Sequence, residues 1–253
     1  MSADKTSINQ TRPPIGRFFV TADCVVFGLD LTASTLKIVL VKRKEEPFLD
    51  WWSLPGGFVQ SDERAEEAAR RILKQKTGLE NVFLEQLYTF DDFGRDPRTG
   101  EDFGVRIDRI ISMGFFALVS PAQHEVRFLG GGNAAEAQWF SIDQLPDAGR
   151  LSFDHNHIFD VALGRLRGKL SYVPIGFELL ENKFTIKQLQ RVYEIVLGHK
   201  LESSNFRRRV LKMDILEPLE ERQESVSHRP AQLYRFNETR YRQMVERGLD
   251  FEL

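Results

Sequence analysis

The sequence predicts an α+β protein in which an α/β/α sandwich is followed by a winged helix-turn-helix domain. Two observations predict this fold class. In the first part of the chain, apolar segments with a β pattern enclose one charged helical segment, which is typical of a sheet covered by helices. In the last part, two short helical segments, a tight connection and two strand candidates follow one another, and these are the parts of a winged helix.

Four segments are expected along the chain. Residues 1–16 are polar and contain two prolines, so we expect a disordered N-terminal arm. The sandwich should occupy residues 17–150, a connecting helix residues 151–170, and the winged helix residues 171–253.

The composition indicates a globular chain with a core. Of 253 residues, 42% are hydrophobic and 28% are charged. We find no run of about 18 apolar residues that would span a membrane, and no apolar segment typical of a secretory signal at the polar N-terminus. The single cysteine, Cys24, excludes an internal disulfide and fits a reducing cytosol. We therefore expect a cytoplasmic protein with no membrane partner, and we expect Cys24 in the core rather than acting as a nucleophile.

The charge is distributed unevenly between the two parts. From Arg165 onward there are 17 basic and 13 acidic residues, a balance of +4. The remaining 18 basic and 24 acidic residues give −6, so the two balances sum to the formal net charge of −2. This asymmetry indicates that the second part meets a polyanion, although a surplus of this size is also common in proteins with neutral partners.

Strands and one helix are predicted in the first part from apolar periodicity. The stretches 24–29 and 36–41 predict two buried strands. A charged helix is expected over 64–76, with Gly78 just past its end as a C-terminal glycine. A polar loop is expected over 91–104, and further strands over 82–89, 106–119 and 137–140, with 106–119 at the centre of the sheet.

The second part is predicted to be helical, with a hairpin near its end. Residues 153–170 have the spacing of a connecting helix. Thr185 can cap a helix that Gly198 ends. Ser203 or Ser204 can cap a second helix over 205–213. Strand candidates over 215–219 and 233–236 form the hairpin, or wing.

Residues 57–79 resemble the signature of the Nudix family, a motif of pyrophosphate-cleaving enzymes. The motif has a glycine, a glutamate after five intervening residues and an arginine after seven more. An aliphatic residue follows two positions after the arginine, and the motif ends with a glycine and a second aliphatic residue. The chain matches it at Gly57, Glu63, Arg71, Leu73, Gly78 and Leu79. The resemblance implies the Nudix α/β/α sandwich.

Three departures from this motif concern its metal site. The family has glutamates where this chain has Ile72, Gln75 and Lys76. In active members those carboxylates hold divalent cations, and Mg²⁺ requires hard anionic oxygen ligands. An isoleucine offers no ligand, and a lysine repels the ion. We therefore expect no metal, no cofactor and no catalytic residue here, and we expect Glu66 and Glu67 to form a solvated helix face.

A cleft that no longer cuts a diphosphate can still bind one. Lys76 can replace the metal as the counter-charge of a phosphate, the alternative being an exposed helix lysine. Arginine forks onto phosphate and aromatic rings stack on bases. We accordingly expect a small-molecule effector to contact Arg43, Phe48, Trp52, Gly57, Lys76, Arg95 and Arg98.

A basic, acid-free stretch in the second part predicts contact with double-stranded DNA. Residues 203–213 carry four positive charges and no acid, and three apolar positions at helical spacing can face the core. The free N–H groups at the start of such a helix favour phosphate, and a recognition helix uses this layout in the major groove. The alternative is an ordinary charged helix. The expected DNA contacts are Lys187, Ser203, Ser204, Asn205, Arg207, Arg208, Arg209, Lys212, Arg222, His228 and Arg229, with Arg191 and Arg235 as further basic residues.

Both halves together resemble the Nudix-related transcriptional regulators of bacteria. This resemblance implies homodimers on palindromic operators, and repression of NAD-synthesis or sugar-use genes. It implies relief of repression by an effector such as ADP-ribose, a sugar or a sugar phosphate. Extra residues at 101–109, beside the expected pocket, depart from the family and leave the effector's identity open. The motifs that carry the resemblance are Arg43, residues 47–49, 52–58, 87–90, 95–98, 153–155 and 206–210, and 229–234.

Two other functions remain open at this point. The chain could be an ADP-ribose-type pyrophosphatase with an appended binding domain, which turnover of nucleoside diphosphate sugars with Mg²⁺ would reveal. It could also be a ligand-binding module that docks another protein through its winged helix. The leading interpretation is a dimeric, ligand-controlled DNA-binding repressor, and activation in place of repression stays open.

Overall fold

The computed structural model describes residues 16–98, 100–102, 105–121, 124–128, 133–223 and 230–248. Apart from Gly16, the arm expected at residues 1–16 lies outside the described residues. No helix in the described part of the chain is long and apolar enough to cross a membrane.

A seven-stranded mixed sheet forms the first domain. Its strands are β1 Phe18–Asp30, β2 Thr35–Arg43, β3 Trp52–Ser53, β4 Gly56–Phe58, β5 Phe83–Phe90, β8 Arg109–Val119 and β9 Ala134–Ser141, while β6 Gly100–Asp102 and β7 Val105–Ile107 form a separate hairpin. The order across the sheet is β3-β2-β1-β8-β5, with β4 added to β1 and β9 added to β2. The pair β1–β8 is parallel, and the other pairs are antiparallel.

Helices cover both faces of the sheet because successive residues of β1 point to opposite sides. Cys24 and Val26 pack with the buried stripe of α1 (Ala65–Thr77), which includes Ala69 and Ile72. Burial raises the pKa of the Cys24 thiol, and this keeps it protonated. The predicted α/β/α sandwich is confirmed, and Cys24 lies in the core as expected.

The second face carries α3 (His155–Lys169), preceded by the short α2 (Pro146–Gly149). Phe27 of β1 packs with Ile158 and Phe159 of α3 in one cluster. The same cluster continues without interruption into the C-terminal domain. The sheet and the winged helix therefore share a core through α3.

The C-terminal domain is a winged helix, as predicted. A 3-10 turn (Ile175–Leu179) leads to α4 (Ile186–Leu197), α5 (Ser203–Lys212), the antiparallel pair β10 (Leu216–Arg222) and β11 (Gln232–Phe236), and α6 (Glu238–Glu246). Thr185 caps α4 by accepting from the Gln188 N–H at 3.1 Å, and Gly198 ends it with φ 77°. Both cap predictions are confirmed.

Several elements differ from the sequence prediction. The loop expected over 91–104 and the strand expected over 106–119 contain the hairpin of β6 (Gly100–Asp102) and β7 (Val105–Ile107). The central strand begins only at Arg109. Before it, Asp108 is held by Arg17, whose N–H donates to Asp108 Oδ2 at 2.8 Å and whose carbonyl accepts from the Asp108 N–H at 3.0 Å. The helix α6 was not predicted at all; Asn237 caps it by accepting from the Arg240 N–H at 2.9 Å.

Candidate functional site

A cavity of about 500 Å³ lies between residues of β1, β3, β4 and α1 and the start of α3. Volumes of this size are typical of small-molecule sites. Five of the seven predicted effector contacts line it: Arg43, Gly57, Lys76, Arg95 and Arg98. The hairpin β6–β7, expected beside the pocket, contributes no lining residue among its described members.

Two of the cavity's cations have no carboxylate partner among the described ion pairs. Arg43 donates from Nε to the Pro47 carbonyl at 2.8 Å, and Lys76 donates to the Gly56 carbonyl and to Asn133 Oδ1 at 2.8 Å. Arg98, in contrast, forks onto Asp96 at 2.9 and 2.5 Å, and Arg95 is also paired. A ligand anion therefore meets Arg43 and Lys76 without displacing a carboxylate, whereas at Arg95 and Arg98 it competes with one.

Lys76 is a buried ammonium and not the exposed helix lysine of the alternative interpretation. It is 8% exposed. Its pKa is lowered to about 8, chiefly through desolvation by burial and also through the cations Arg43 and Arg98, while Asp23 opposes the shift. Three like charges held close together repel one another, and an anion in the cavity would relieve this repulsion.

The residues at the motif's metal positions do not fit a divalent cation. Ile72 is buried at 1% exposure and offers no ligand, and Lys76 brings a positive charge. Glu63 is held by Arg71 through contacts of 2.9 and 2.5 Å, which lower its pKa to about 2. No group of three or more His, Cys, Asp or Glu residues in the described part of the chain is arranged to hold a metal ion.

Glu66 and Glu67 form the solvated face predicted for them. Glu66 pairs with Arg70, and Glu67 pairs with Arg64 at the start of α1, both at 2.9 Å. Neither carboxylate lines the cavity.

Two predicted effector contacts do not reach the cavity. Trp52 stacks edge-on against Phe140, with 4.6 Å between ring centroids, and packs on the core. Phe48 lies behind Phe153, with 4.8 Å between centroids. The prediction that these two side chains line the cavity is corrected. Successive residues of β3 point to opposite sides of the sheet, and Trp52 points away from the cavity. Phe153 and Phe58 supply the cavity's aromatic surface instead.

Sequence reasoning missed a buried polar cluster under the cavity. Asp23, 5% exposed, accepts hydrogen bonds from Thr21 Oγ1 and Ser112 Oγ at 3.2 and 2.5 Å. His155 accepts at Nδ1 from the Leu54 N–H at 2.9 Å, and its Nε2 lies 3.6 Å from Asp23 Oδ1. The one sequence signal that pointed to this cluster was the 153–155 motif, which contains His155. A single aspartate within an apolar strand forms no pattern from which a buried polar site can be predicted.

The predicted recognition helix presents its basic side chains to solvent. Phe206 and Val210 of α5 are buried, and the cations on the opposite face are exposed. Arg208 donates to Asn205 Oδ1 at 2.8 Å, which orders two of the expected DNA contacts. The exposed members of this surface are Ser203, Ser204, Arg207, Arg208, Arg209 and Lys212, together with Lys187 on α4.

The start of α5 differs from the prediction. Glu202, and not Ser203 or Ser204, caps the helix by accepting from the Ser204 N–H at 2.8 Å and the Asn205 N–H at 2.6 Å. An acidic cap satisfies the N–H groups that were expected to bind phosphate, so this part of the prediction is corrected.

Other basic residues of the winged helix are used inside the protein or lie outside the described part. Arg191 donates to Ser34 Oγ of the sandwich at 3.2 Å, and Arg235 pairs with Glu217 at 2.9 Å. Arg222 is exposed at the end of β10. The predicted contacts His228 and Arg229 lie outside the described residues.

Two family models match the chain. The model described as the NUDIX domain matches residues 19–161. The model described as the NrtR DNA-binding winged helix domain matches residues 176–236.

Curated relatives include a regulator and an enzyme. The ADPR responsive transcriptional repressor NtrR of Acinetobacter baylyi is 32% identical over 219 residues, covering 86% of this chain and 81% of the relative. The ADP-ribose pyrophosphatase of Methanocaldococcus jannaschii is 36% identical over 122 residues, covering 48% of this chain and 63% of the relative.

Similar solved structures include a DNA complex and an ADP-ribose complex of one protein. Shewanella oneidensis NrtR complexed with a 27mer DNA has a TM-score of 0.73 at 29% identity, covering 92% of this chain and 97% of that one. The NUDIX domain of the same protein complexed with ADP ribose has a TM-score of 0.50 at 28% identity, covering 62% and 94%.

Proposed function

Because this chain belongs to the Nudix family and, within it, to the NrtR-type transcriptional regulators, we propose that it is a DNA-binding repressor controlled by ADP-ribose or a similar nucleotide sugar. The family inferred from the motifs is thereby confirmed. The ligand binds in the cavity and the operator binds to α5 and the wing. As a regulator of this kind, the protein acts in the cytoplasm.

The cavity's charge supports a diphosphate ligand. Arg43 and Lys76 are buried cations without carboxylate partners in the described part of the chain, whereas Arg98 is paired with Asp96. Phe153 and Phe58 add aromatic surface to the lining, and the Arg98 guanidinium carbon lies 5.1 and 5.0 Å from their ring centroids. The observation that carries the proposal is Lys76, whose ammonium is buried at the position of a metal ligand in the family's motif.

The same residue argues that the ligand is bound and not cut. Cleavage in the family needs a cation held by carboxylates, and Ile72, Gln75 and Lys76 cannot supply them. The pyrophosphatase from Methanocaldococcus jannaschii, which matches 48% of this chain, keeps hydrolysis as the second candidate.

DNA binding is assigned to the exposed basic face of α5 in a major groove. The protein binds as a homodimer, so that two copies of α5 meet two half-sites of a palindrome about one helical turn apart. Phosphate contacts make this binding strongly salt-dependent.

A single assay separates the two candidates. Purified protein is incubated with ADP-ribose and Mg²⁺ or Mn²⁺, and products are separated by chromatography, while calorimetry measures ADP-ribose binding in EDTA. We expect binding in EDTA and no product. Turnover in the usual enzyme range, about 1–1000 per second, would establish the pyrophosphatase instead.

A further inference from the structure

Phe153 and Asp154, just before the first residue of α3, contact three of the four arginines that line the cavity. The guanidinium carbons of Arg43 and Arg98 lie 4.8 and 5.1 Å from the ring centroid of Phe153. Arg95 forks onto Asp154, with Nε–Oδ2 at 2.8 Å and Nη2–Oδ1 at 2.6 Å. A ligand that binds these arginines therefore changes the contacts of Phe153 and Asp154, the two residues that precede α3.

The opposite end of α3 rests on the winged helix. At about 1.5 Å per residue, its 15 residues span roughly 22 Å. Arg167 donates from Nε to the Val196 carbonyl in the last turn of α4 at 2.9 Å, and Leu166 packs in the same core cluster as Val192. Because α4 directly precedes α5, a displacement of α3 reaches the DNA-binding helix through packed contacts.

The Arg95–Asp154 ion pair is placed to compete with a ligand phosphate. Arg95 lines the cavity, and its side chain is only 3% exposed. A second carboxylate, Asp23, lies 3.8 Å from its Nη2. Carboxylate and phosphate both bind guanidinium in the same forked way, so a phosphate at Arg95 weakens its hold on Asp154.

Phe153 adds a second reason for the segment to move. Its φ is 55°, a left-handed conformation that residues with a side chain rarely adopt. The contacts with Arg43, Arg98 and Phe48 hold it there. When a ligand binds Arg43 and Arg98, their contacts with Phe153 weaken, and the strained backbone at Phe153 is less strongly held.

We propose that Asp154 is a positioning residue for the effector response: it acts through Arg95, clamps α3 in the DNA-binding arrangement, and is released when a ligand phosphate occupies that arginine. The inference rests on the proposed function and adds the route by which the cavity controls the operator site. It requires a difference in ligand affinity between the two arrangements of α3.

The test measures a coupling factor, which is the ratio of the DNA dissociation constants with and without saturating ADP-ribose. The DNA is a duplex selected by the wild-type protein from a random-sequence pool. For Asp154→Asn, we expect the factor to fall from the roughly 5- to 150-fold typical of allosteric proteins to about 1. ADP-ribose should bind this variant at least as tightly as the wild type, because a competitor is gone. Asp154→Glu, which keeps the charge, should restore part of the factor.

Asp160→Asn is the matched control, because Asp160 is an exposed aspartate on the same helix. It should keep the wild-type factor. A wild-type factor in Asp154→Asn would overturn the inference, whereas an unresponsive wild-type protein would contradict the proposed function itself. If Asp154→Asn does not fold, hydrogen exchange of the wild type decides: ADP-ribose should change the protection of amides 155–169, and unchanged exchange there overturns the clamp.

Discussion

His155 accepts a hydrogen bond at Nδ1 from the Leu54 backbone N–H and turns its Nε2 toward Asp23, 3.6 Å away. Because Nδ1 is an acceptor, the neutral ring carries its proton on Nε2, facing the carboxylate. One side chain thus joins β1, the connection between β3 and β4, and the first residue of α3. This arrangement fixes the floor of the cavity.

The stability of the protein should fall as the pH is lowered through the ordinary range of histidine. Burial lowers the pKa of His155 below its usual 6.5. Just below pH 6.5 this histidine is therefore protonated in the unfolded chain but still neutral in the folded protein. The stability is then complete above pH 6.5 and declines below it, by at most about 1.4 kcal/mol per pH unit.

Urea unfolding at pH 7.5 and 5.5 measures this effect. His155→Asn, whose Oδ1 takes the place of Nδ1, can still accept from Leu54 but does not titrate, so its stability should differ less between the two pH values. The strongly paired carboxylates titrate in the unfolded chain only near pH 4 and contribute little in this window. Equal pH dependence in the two proteins would rule out His155 as the source.

ADP-ribose affinity should decline above pH 8. In the protein without ligand, burial lowers the pKa of Lys76 to about 8, and a bound anion would raise this pKa again. Binding is therefore undiminished below pH 7 and weakens up to about tenfold per pH unit above 8. Calorimetry from pH 7 to 9.5 tests this, with Lys76→Met as the comparison that should bind weakly at every pH. Lys76→Glu should lose affinity further, and unchanged affinity in it would dismiss the role of the lysine.

The two glycines of the motif should respond differently to alanine. A Cβ at Gly56 would lie 1.8 Å from Asp23 Oδ1, whereas one at Gly57 would lie 3.4 Å from Ile72, an ordinary contact. Gly56→Ala should cost about 1–3 kcal/mol or more of stability, and Gly57→Ala much less. Urea denaturation of both variants is the measurement; equal losses would show that the Asp23 cluster adjusts freely.

The DNA-binding face of α5 is tested by Arg208→Ala with Arg209→Ala. The double variant should lose specific DNA binding while keeping its melting temperature and ADP-ribose affinity, because both side chains are exposed. Removing an arginine that binds a phosphate should reduce the slope of log affinity against log salt by about 0.9. Arg242→Ala, which removes an exposed arginine from α6, is the control. A gel shift that survives the double substitution would move the DNA site elsewhere.

The sequence was sufficient for elements with strong periodicity or a fixed motif. The α1 helix, its glycine end, the strands β1 and β2, and the cap of α4 by Thr185 were predicted because each depends on neighbouring residues. It was insufficient where a distant residue decides. Just before Arg109, Asp108 is held by Arg17, 91 residues away along the chain.

The same distinction applies to the site. Five cavity residues were predicted because they belong to the motif or to basic loops beside it. Trp52 was predicted wrongly, since its direction depends on the packing of β3, and Asp23 was missed because its partners Ser112 and His155 come from other elements. The acidic cap Glu202 was missed because serine is the usual cap, and the sequence offered two serines.

The central claim is that the cavity senses a diphosphate and does not cut it. The most direct measurement is the titration of ADP-ribose into the protein–DNA complex, followed by fluorescence anisotropy of the DNA, in Mg²⁺ and in EDTA, with the nucleotide recovered afterwards. We predict release of the DNA at the same ADP-ribose concentration in both buffers and recovery of intact ADP-ribose. Release only with Mg²⁺, accompanied by cleaved ADP-ribose, would contradict the account.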